Sequence, residues 1–302
     1  DVSFSKKAIW VRYTKFSPVE YSNYNPSGMM WASFFDAVTP DNHCYSAESF
    51  MLSSLVSEDN TYKFPNGLIT PDKLTGFLET PKGKLSWELD LLHRFPPLKY
   101  APKLLENAGV AKTKAVITSP FAKVKGKVKL DNKVFNFNNS DGLMTHIWGS
   151  QYIEELYWIF VPKFDDDNEG WSLEIVSAKA RGFLPPFNFA IMVYNNNISH
   201  NSVLEAIVST TEVNYPEIEF NLKIKEYSLK VKCKLDLEQT TRYIYKNPDG
   251  ANRYIAHSDV GEVSCQIKSF NYKKELVCKR TGAVEFHGMK PFDNESYLDP
   301  LT

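Results

Sequence analysis

The sequence predicts an all-β protein, organised as two antiparallel barrel-like halves enclosing an apolar site for a small greasy molecule. Three observations carry this expectation. Apolar and polar residues alternate with a period of two over much of the chain, which is the mark of half-buried strands. Aromatic residues make up 14% of the 302 residues, and they suit pleated surfaces and pocket walls alike. Helix signals are poor, whereas Gly, Pro, Asn and Asp punctuate many short segments.

The clearest alternation runs from Ile218 to Leu237. Phe220, Leu222 and Ile224 alternate with Glu219, Asn221, Lys223 and Lys225; after a turn near Glu226–Tyr227, Leu229, Val231, Cys233 and Leu235 alternate with Lys230, Lys232 and Lys234. Two such runs in succession predict a hairpin with its lysines on the wet face. Val124 to Phe137 repeats the pattern about an Asp131–Asn132 turn. Further strands are expected at Ile9–Tyr13, Trp31–Ala37, Leu85–Leu91, Tyr157–Pro162, Trp171–Ser177, Phe189–Tyr194, Thr240–Tyr245 and Glu262–Phe270. Ala101–Ala108 reads as one short helix, with Pro102 in its first turn and Gly109 as its cap. The acidic stretch Asp165–Gly170 fits either a domain boundary or a hairpin loop. The hairpin reading moves the boundary upstream and gives domains of residues 1–145 and 146–302. The acidic run lacks the EF-hand spacing, so a solvated loop is expected there rather than a calcium site.

Composition narrows the function classes. The net charge is −1, which calls for neither nucleic acid nor an anionic membrane as partner. The four cysteines, Cys44, Cys233, Cys265 and Cys278, form no CxxC pair, which argues against zinc-ribbon and thioredoxin-like chemistry. Those in apparent strands read as buried reduced thiols. Asn-x-Ser sequons at Asn138, Asn197 and Asn294 are expected by chance in so Asn-rich a chain. There is no apolar run of the ~18 residues that a membrane-spanning helix needs, so a soluble, cytoplasmic protein is favoured. The chain begins at Asp1 without Met, which is compatible with a removed leader. Peripheral contact with a bilayer stays open, since greasy substrates are handled there without a spanning helix. No GxSxG elbow, phosphate loop, dinucleotide fingerprint or HExxH helix occurs, and the six histidines are widely separated. No cofactor and no metal are expected.

The most unusual segment runs from Asp141 to Gln151, with His146, Trp148 and Gly149 close together, followed by Tyr157 and Trp158. Its bland reading is a His and a Trp locking a strand corner. The order His146-x-Trp148-Gly149 and then Tyr157-Trp158 resembles the central signature of the family of carotenoid 1,2-hydratase (hydroxyneurosporene synthase), tocopherol cyclase and bacterial AttH-like proteins. The strand Ala8–Thr14 with Trp31–Asp36 is similar to that family's N-terminal hairpin. Gly83–Leu89, centred on Trp87, is similar to a further strand of its first barrel. The resemblance covers about Ile9 to Arg181.

The resemblance implies two lipocalin-like β-barrels packed together, with a lipophilic site between or within them. It also implies chemistry driven by a proton, in which an isoprenoid-like or polyketide-like double bond is protonated and then hydrated, cyclised or rearranged. Such a reaction needs a buried acid and aromatic faces for a carbocation. Asp141, His146, Glu154 and Glu155 are the candidate acids, although only one of the adjacent glutamates can face inward on a strand. Trp148, Tyr157, Trp158, Trp31, Trp87, Arg12 and Arg181 are candidates for the ligand wall, and for Arg12 the first reading is an ion pair with Asp36 between the halves. Two other readings use the same scaffold: a lipid carrier without chemistry, and a structural protein with filled barrels. A buried carboxylic acid of raised pKa beside an open cleft separates the enzyme from both.

Overall fold

The computed structural model describes residues 6–20, 23–100, 112–165, 167–179 and 186–302. It is 66% strand and 4% helix, so the all-β expectation holds. Strands β1 (Lys7–Phe16), β2 (Ser27–Asp36) and β3 (Cys44–Met51) form a three-stranded antiparallel sheet. An eight-stranded sheet follows. It contains β4 (Val56–Glu58), β5 (Thr61–Phe64), β6 (Gly67–Ile69), β7 (Lys73–Thr80), β8 (Gly83–Leu92), β9 (Leu98–Lys99), β10 (Thr113–Leu130) and β11 (Lys133–Gly149).

The ten-stranded sheet begins with β12 (Glu155–Val161), β13 (Ser172–Lys179), β14 (Phe187–Tyr194) and β15 (Asn197–His200). The helix α1 (Val203–Val208) then leads to β16 (Thr210–Asn214), β17 (Glu217–Ile224), β18 (Tyr227–Lys234) and β19 (Thr241–Lys246). The long strands β20 (Asn252–Ser269) and β21 (Tyr272–Gly288) complete it. The chain passes from the eight-stranded to the ten-stranded sheet after Gly149, and residues 145 and 146 both lie within β11.

Several expected elements appear with their turns. β10 and β11 pair from Leu130–Lys133 outward across Asp131–Asn132. β17 and β18 pair from Ile224–Tyr227, so the turn residues are Lys225 and Glu226. β12 pairs with β13, which makes the acidic segment between them a hairpin connection. Within it the Asp167 carboxylate accepts the Trp171 and Glu169 amides and holds Lys274 at 2.9 Å. The expected helix at Ala101–Ala108 lies outside the described residues. All four cysteines are buried and free.

The three sheets stack in layers. Met30, Ala32 and Phe34 of β2 pack into the curl of the eight-stranded sheet, against Leu78, Leu85, Trp87, Leu89 and Val128. The opposite face of β1 and β2 carries Trp10, Trp31 and Phe35, which meet Tyr243, Tyr245, Ile255 and Val260 of the ten-stranded sheet. β2 is therefore buried at every position. That explains its continuous apolar text, Met29-Met30-Trp31-Ala32-Ser33-Phe34-Phe35, in place of an alternation. The ten-stranded sheet curls on itself around Ile159, Leu173, Ile175, Phe220, Leu229, Val231, Cys265 and Phe286.

Candidate functional site

Strand alternation decides which side chains enter the layer between the small sheet and the ten-stranded one. On β12, Tyr157, Ile159 and Val161 turn into the curl, so Trp158 and Phe160 face away from it, Trp158 toward His257 and Phe160 toward Ile117 and Phe121 of β10. The register then places Glu174 beside Phe160 on β13 and Glu285 beside Trp158 on β21, with His257 opposite Glu285 on β20. Tyr243 and Tyr245 of β19 extend the same face. Trp10, Arg12, Tyr100, Tyr152 and Trp158 all keep part of their surface exposed.

Glu174 is the central acid. It is 0% exposed. Its Oε1 accepts hydrogen bonds from the Tyr100 hydroxyl and, at 3.1 Å, from Trp158 Nε1, while Oε2 finds no partner among the described residues. Burial disfavours the carboxylate and pushes the pKa up to about 7, although the two donors pull the other way. The side chain therefore carries a proton about half of the time at pH 7. The same carboxylate, with burial as the larger cause, pushes the Tyr100 hydroxyl well above its usual range.

The Trp158 ring lies between Glu174 and His257, donating to the one and stacking on the other with 6.0 Å between ring centroids and 13° between planes. His257 Nε2 is 2.8 Å from Asp259 and its Nδ1 is 3.2 Å from Glu285. Neither contact is a well-directed hydrogen bond, and the two carboxylates act on the ring by charge and by hydrogen bonding together. Burial opposes the imidazolium, but the two carboxylates outweigh it and raise the pKa to about 9. Farther along the sheet, Arg12 donates to the Tyr152 hydroxyl at 2.5 Å and stacks 4.1 Å over the Tyr245 ring. His287, 5.9 Å from Tyr152 between centroids, is driven down to about 4 by burial, with Arg12 and Arg253 adding to the effect.

The sequence-based candidates fall on both sides of this layer. Trp31, Trp158 and Arg12 are brought together in it. His146 and Trp148 stack on each other at 5.1 Å on exposed positions of β11. His146 pairs with Val116, so it points away from the face that Thr145 shares with buried Ile117. Asp141 is held by Lys123 at 2.7 Å and by Arg94 at 3.8 Å, and Glu155 by Lys179 at 3.2 Å. Glu154 is half-buried just before β12. Tyr157 packs on Phe286 inside the curl, and Trp87 donates to the Tyr13 hydroxyl at 2.9 Å inside the other core. Arg181 lies outside the described residues. The ion pair expected between Arg12 and Asp36 is not formed: the register sets Arg12 opposite Trp31, and Asp36 opposite Lys7, with Lys7 Nζ 3.4 Å from its carboxylate.

Sequence reasoning missed Glu174, Tyr100, His257, Tyr245, Glu285 and His287. One signal for Glu174 was present. It is the single charge in the run Trp171-Ser172-Leu173-Glu174-Ile175-Val176, a segment too apolar on both faces to leave a glutamate in water.

No protein-family model matches the sequence, and no curated protein matches it either. Solved structures do. The AttH-like protein NE1406 of Nitrosomonas europaea aligns with a TM-score of 0.59 at 9% identity, over 94% of this chain and 88% of its own. Kievitone hydratase from Nectria haematococca aligns with a TM-score of 0.56 at 11% identity, over 93% of this chain and 83% of its own. At such identities the likeness is one of fold. It bears out at that level the resemblance read from the sequence.

Proposed function

We propose, from the premise that this chain shares the lipocalin-like fold of the AttH-like proteins and kievitone hydratase, that it is an enzyme using a buried acid to protonate a lipophilic alkene. The observation that carries the reading is Glu174: a carboxyl with no exposure, a pKa near 7 and an unpartnered oxygen, set behind the partly exposed Tyr100. When Glu174 is protonated its carboxyl becomes the donor to Tyr100, reversing the bond seen with the carboxylate, and the Tyr100 hydroxyl gives its own proton to the substrate as it takes the one from Glu174. The faces of Trp158 and Phe160 stabilise the cation that results. Water or an internal nucleophile then closes the reaction, giving hydration or cyclisation, and the proton released returns to Glu174. Substrates are isoprenoid-like or polyketide-like, and the residues named need no cofactor for this step. A carrier on the same scaffold needs only an apolar lining, and the buried acid favours the enzyme over it.

The test is turnover of a panel of alkene-bearing lipophiles, kievitone among them, followed by mass spectrometry in H₂¹⁸O and in D₂O. Products carrying solvent oxygen or deuterium are expected. Glu174→Gln lowers kcat by roughly 100-fold or more, and kcat of the parent falls as pH rises through about 7. His146→Ala, altered on the exposed face of β11, keeps kcat within about twofold, as surface changes generally do. Full turnover by Glu174→Gln would refute the proposal.

A further inference from the structure

The Arg12 end of the same layer is built differently from the Glu174 end. Its guanidinium is wedged among aromatic rings, over Tyr245 at 4.1 Å and Tyr152 at 5.5 Å to the ring centroids. Its hydrogen bonds go to hydroxyls, those of Thr14 and Tyr152. No carboxylate of the described residues lies at ion-pair distance from it. The nearby carboxylate of Glu285 is drawn instead to His257, at 3.2 Å. A cation withdrawn from water into an aromatic layer is costly until an anion joins it.

Two further polar atoms add to the deficit. Trp31 Nε1 and His287 Nε2 are buried without hydrogen-bond partners among the described residues, on side chains that are 2% and 5% exposed. Both rings pack against Tyr245, with centroids 5.0 Å and 6.3 Å away. Trp31 is the cross-strand partner of Arg12. An indole N–H is a donor only, and a neutral imidazole offers one N–H. Around the Tyr245 ring the protein thus gathers a guanidinium, an indole and an imidazole, each a hydrogen-bond donor.

We propose that this cluster binds the anionic head group of the lipophilic substrate, a carboxylate or an acidic enol oxygen, while the apolar body extends along Trp158 and Phe160 toward Glu174. This rests on the functional reading above and adds the substrate class: amphiphilic acids rather than neutral hydrocarbons. Arg12 supplies charge and a planar fork that matches a carboxylate. Trp31 and His287 supply neutral donors that select for an oxygen acceptor over a methyl ester's bulk.

The experiment compares a fluorescent polyene fatty acid, cis-parinaric acid, with its methyl ester, by titration into the intact protein at pH 7.5. The acid is expected to bind at least tenfold more tightly than the ester. Arg12→Gln should remove that preference, weakening the acid and leaving the ester unchanged, and Arg12→Lys should restore part of it. Equal binding of acid and ester by the parent protein, or binding of neither, would overturn the proposal without needing any variant to fold. The two readings fail separately. Acid-selective binding that depends on Arg12, with turnover indifferent to Glu174→Gln, keeps the head-group site and removes the proton donor. Turnover that depends on Glu174 without any acid preference does the reverse.

Discussion

Glu174 and His257 are two buried ionisable groups whose pKa values are raised, so each lowers stability as pH rises, through different windows and for different causes. Glu174 moves from 4.5 to about 7 because burial penalises its charge. The folded state therefore binds more protons than the unfolded one between those values, and stability falls as pH rises through that window. The shift corresponds to about 3 kcal/mol. Urea melts from pH 4.5 to 8 should show that decline in the parent protein and a flattened profile in Glu174→Gln. His257 moves from 6.5 to about 9 against the penalty of its own burial, because Asp259 and Glu285 hold the charged form. Its contribution is complete below about 6.5 and is lost as pH rises through about 9. Removing the imidazole leaves both carboxylates unpaired in the layer. His257→Ala is therefore expected to cost about 3–5 kcal/mol at pH 6, with a smaller difference from the parent at pH 10, both read from denaturant midpoints.

At the scale of elements, β-bulges do the aiming. On β20, Ala256 faces the curl before the irregularity at Ser258–Val263, and Val263, Cys265 and Ile267 face it afterwards. One extra residue has inverted the parity, and His257 reaches the layer for that reason. β10 bends likewise. Its distal half gives Val128 and Leu130 to one core, while Ile117 and Phe121 meet Phe160 of the ten-stranded sheet. Gly126 sits at one of these shifts with φ of +144°, and a Cβ there would lie 2.0 Å from the Glu88 carbonyl oxygen. Gly126→Ala should lower stability by more than about 1 kcal/mol, since both conformation and space oppose it; a chemical-denaturation midpoint checks this. The lysine ladder of β18 is by contrast almost neutral. Its pairs with Glu219 and Glu217 are largely exposed, and such pairs contribute little.

For the whole molecule, the small sheet is the middle layer, gripped on both faces. Tyr243 marks the grip. Its hydroxyl sits 2.9 Å from the Ala32 carbonyl, 3.1 Å from that of Ser46 and 3.1 Å from Ser33 Oγ, tying β19 to β2 and β3. Tyr243→Phe keeps the ring and loses the ties. It is expected to cost about 1–2 kcal/mol, with calorimetry still showing a single transition, because the aromatic packing across the layer stays in place. The candidate cleft belongs to this scale as well. Its acid comes from β13, its imidazole from β20 and its guanidinium from β1, so no segment of the chain contains it.

The all-β class, the hairpin about Asp131–Asn132, a second hairpin whose turn falls one residue before the expected Glu226–Tyr227, and the wet, lysine-bearing face of β17 and β18 were all legible in the sequence. Each of these is written locally, in a period of two or in turn residues, because each depends on neighbours a few positions away. The sequence also pointed to Trp31, Trp158 and Arg12. Which side chains come together at the candidate site was set by how the sheets pack. His146 and Trp148 form a dense local motif, yet edge strand β11 turns them outward. Glu174 and His257 carry no motif, yet layer stacking and a bulge turn them inward. Facing direction after a bulge, and burial on a strand's second face, are set by sheets that meet only when the whole chain has folded. That is why strands could be read from the sequence when their shared site could not.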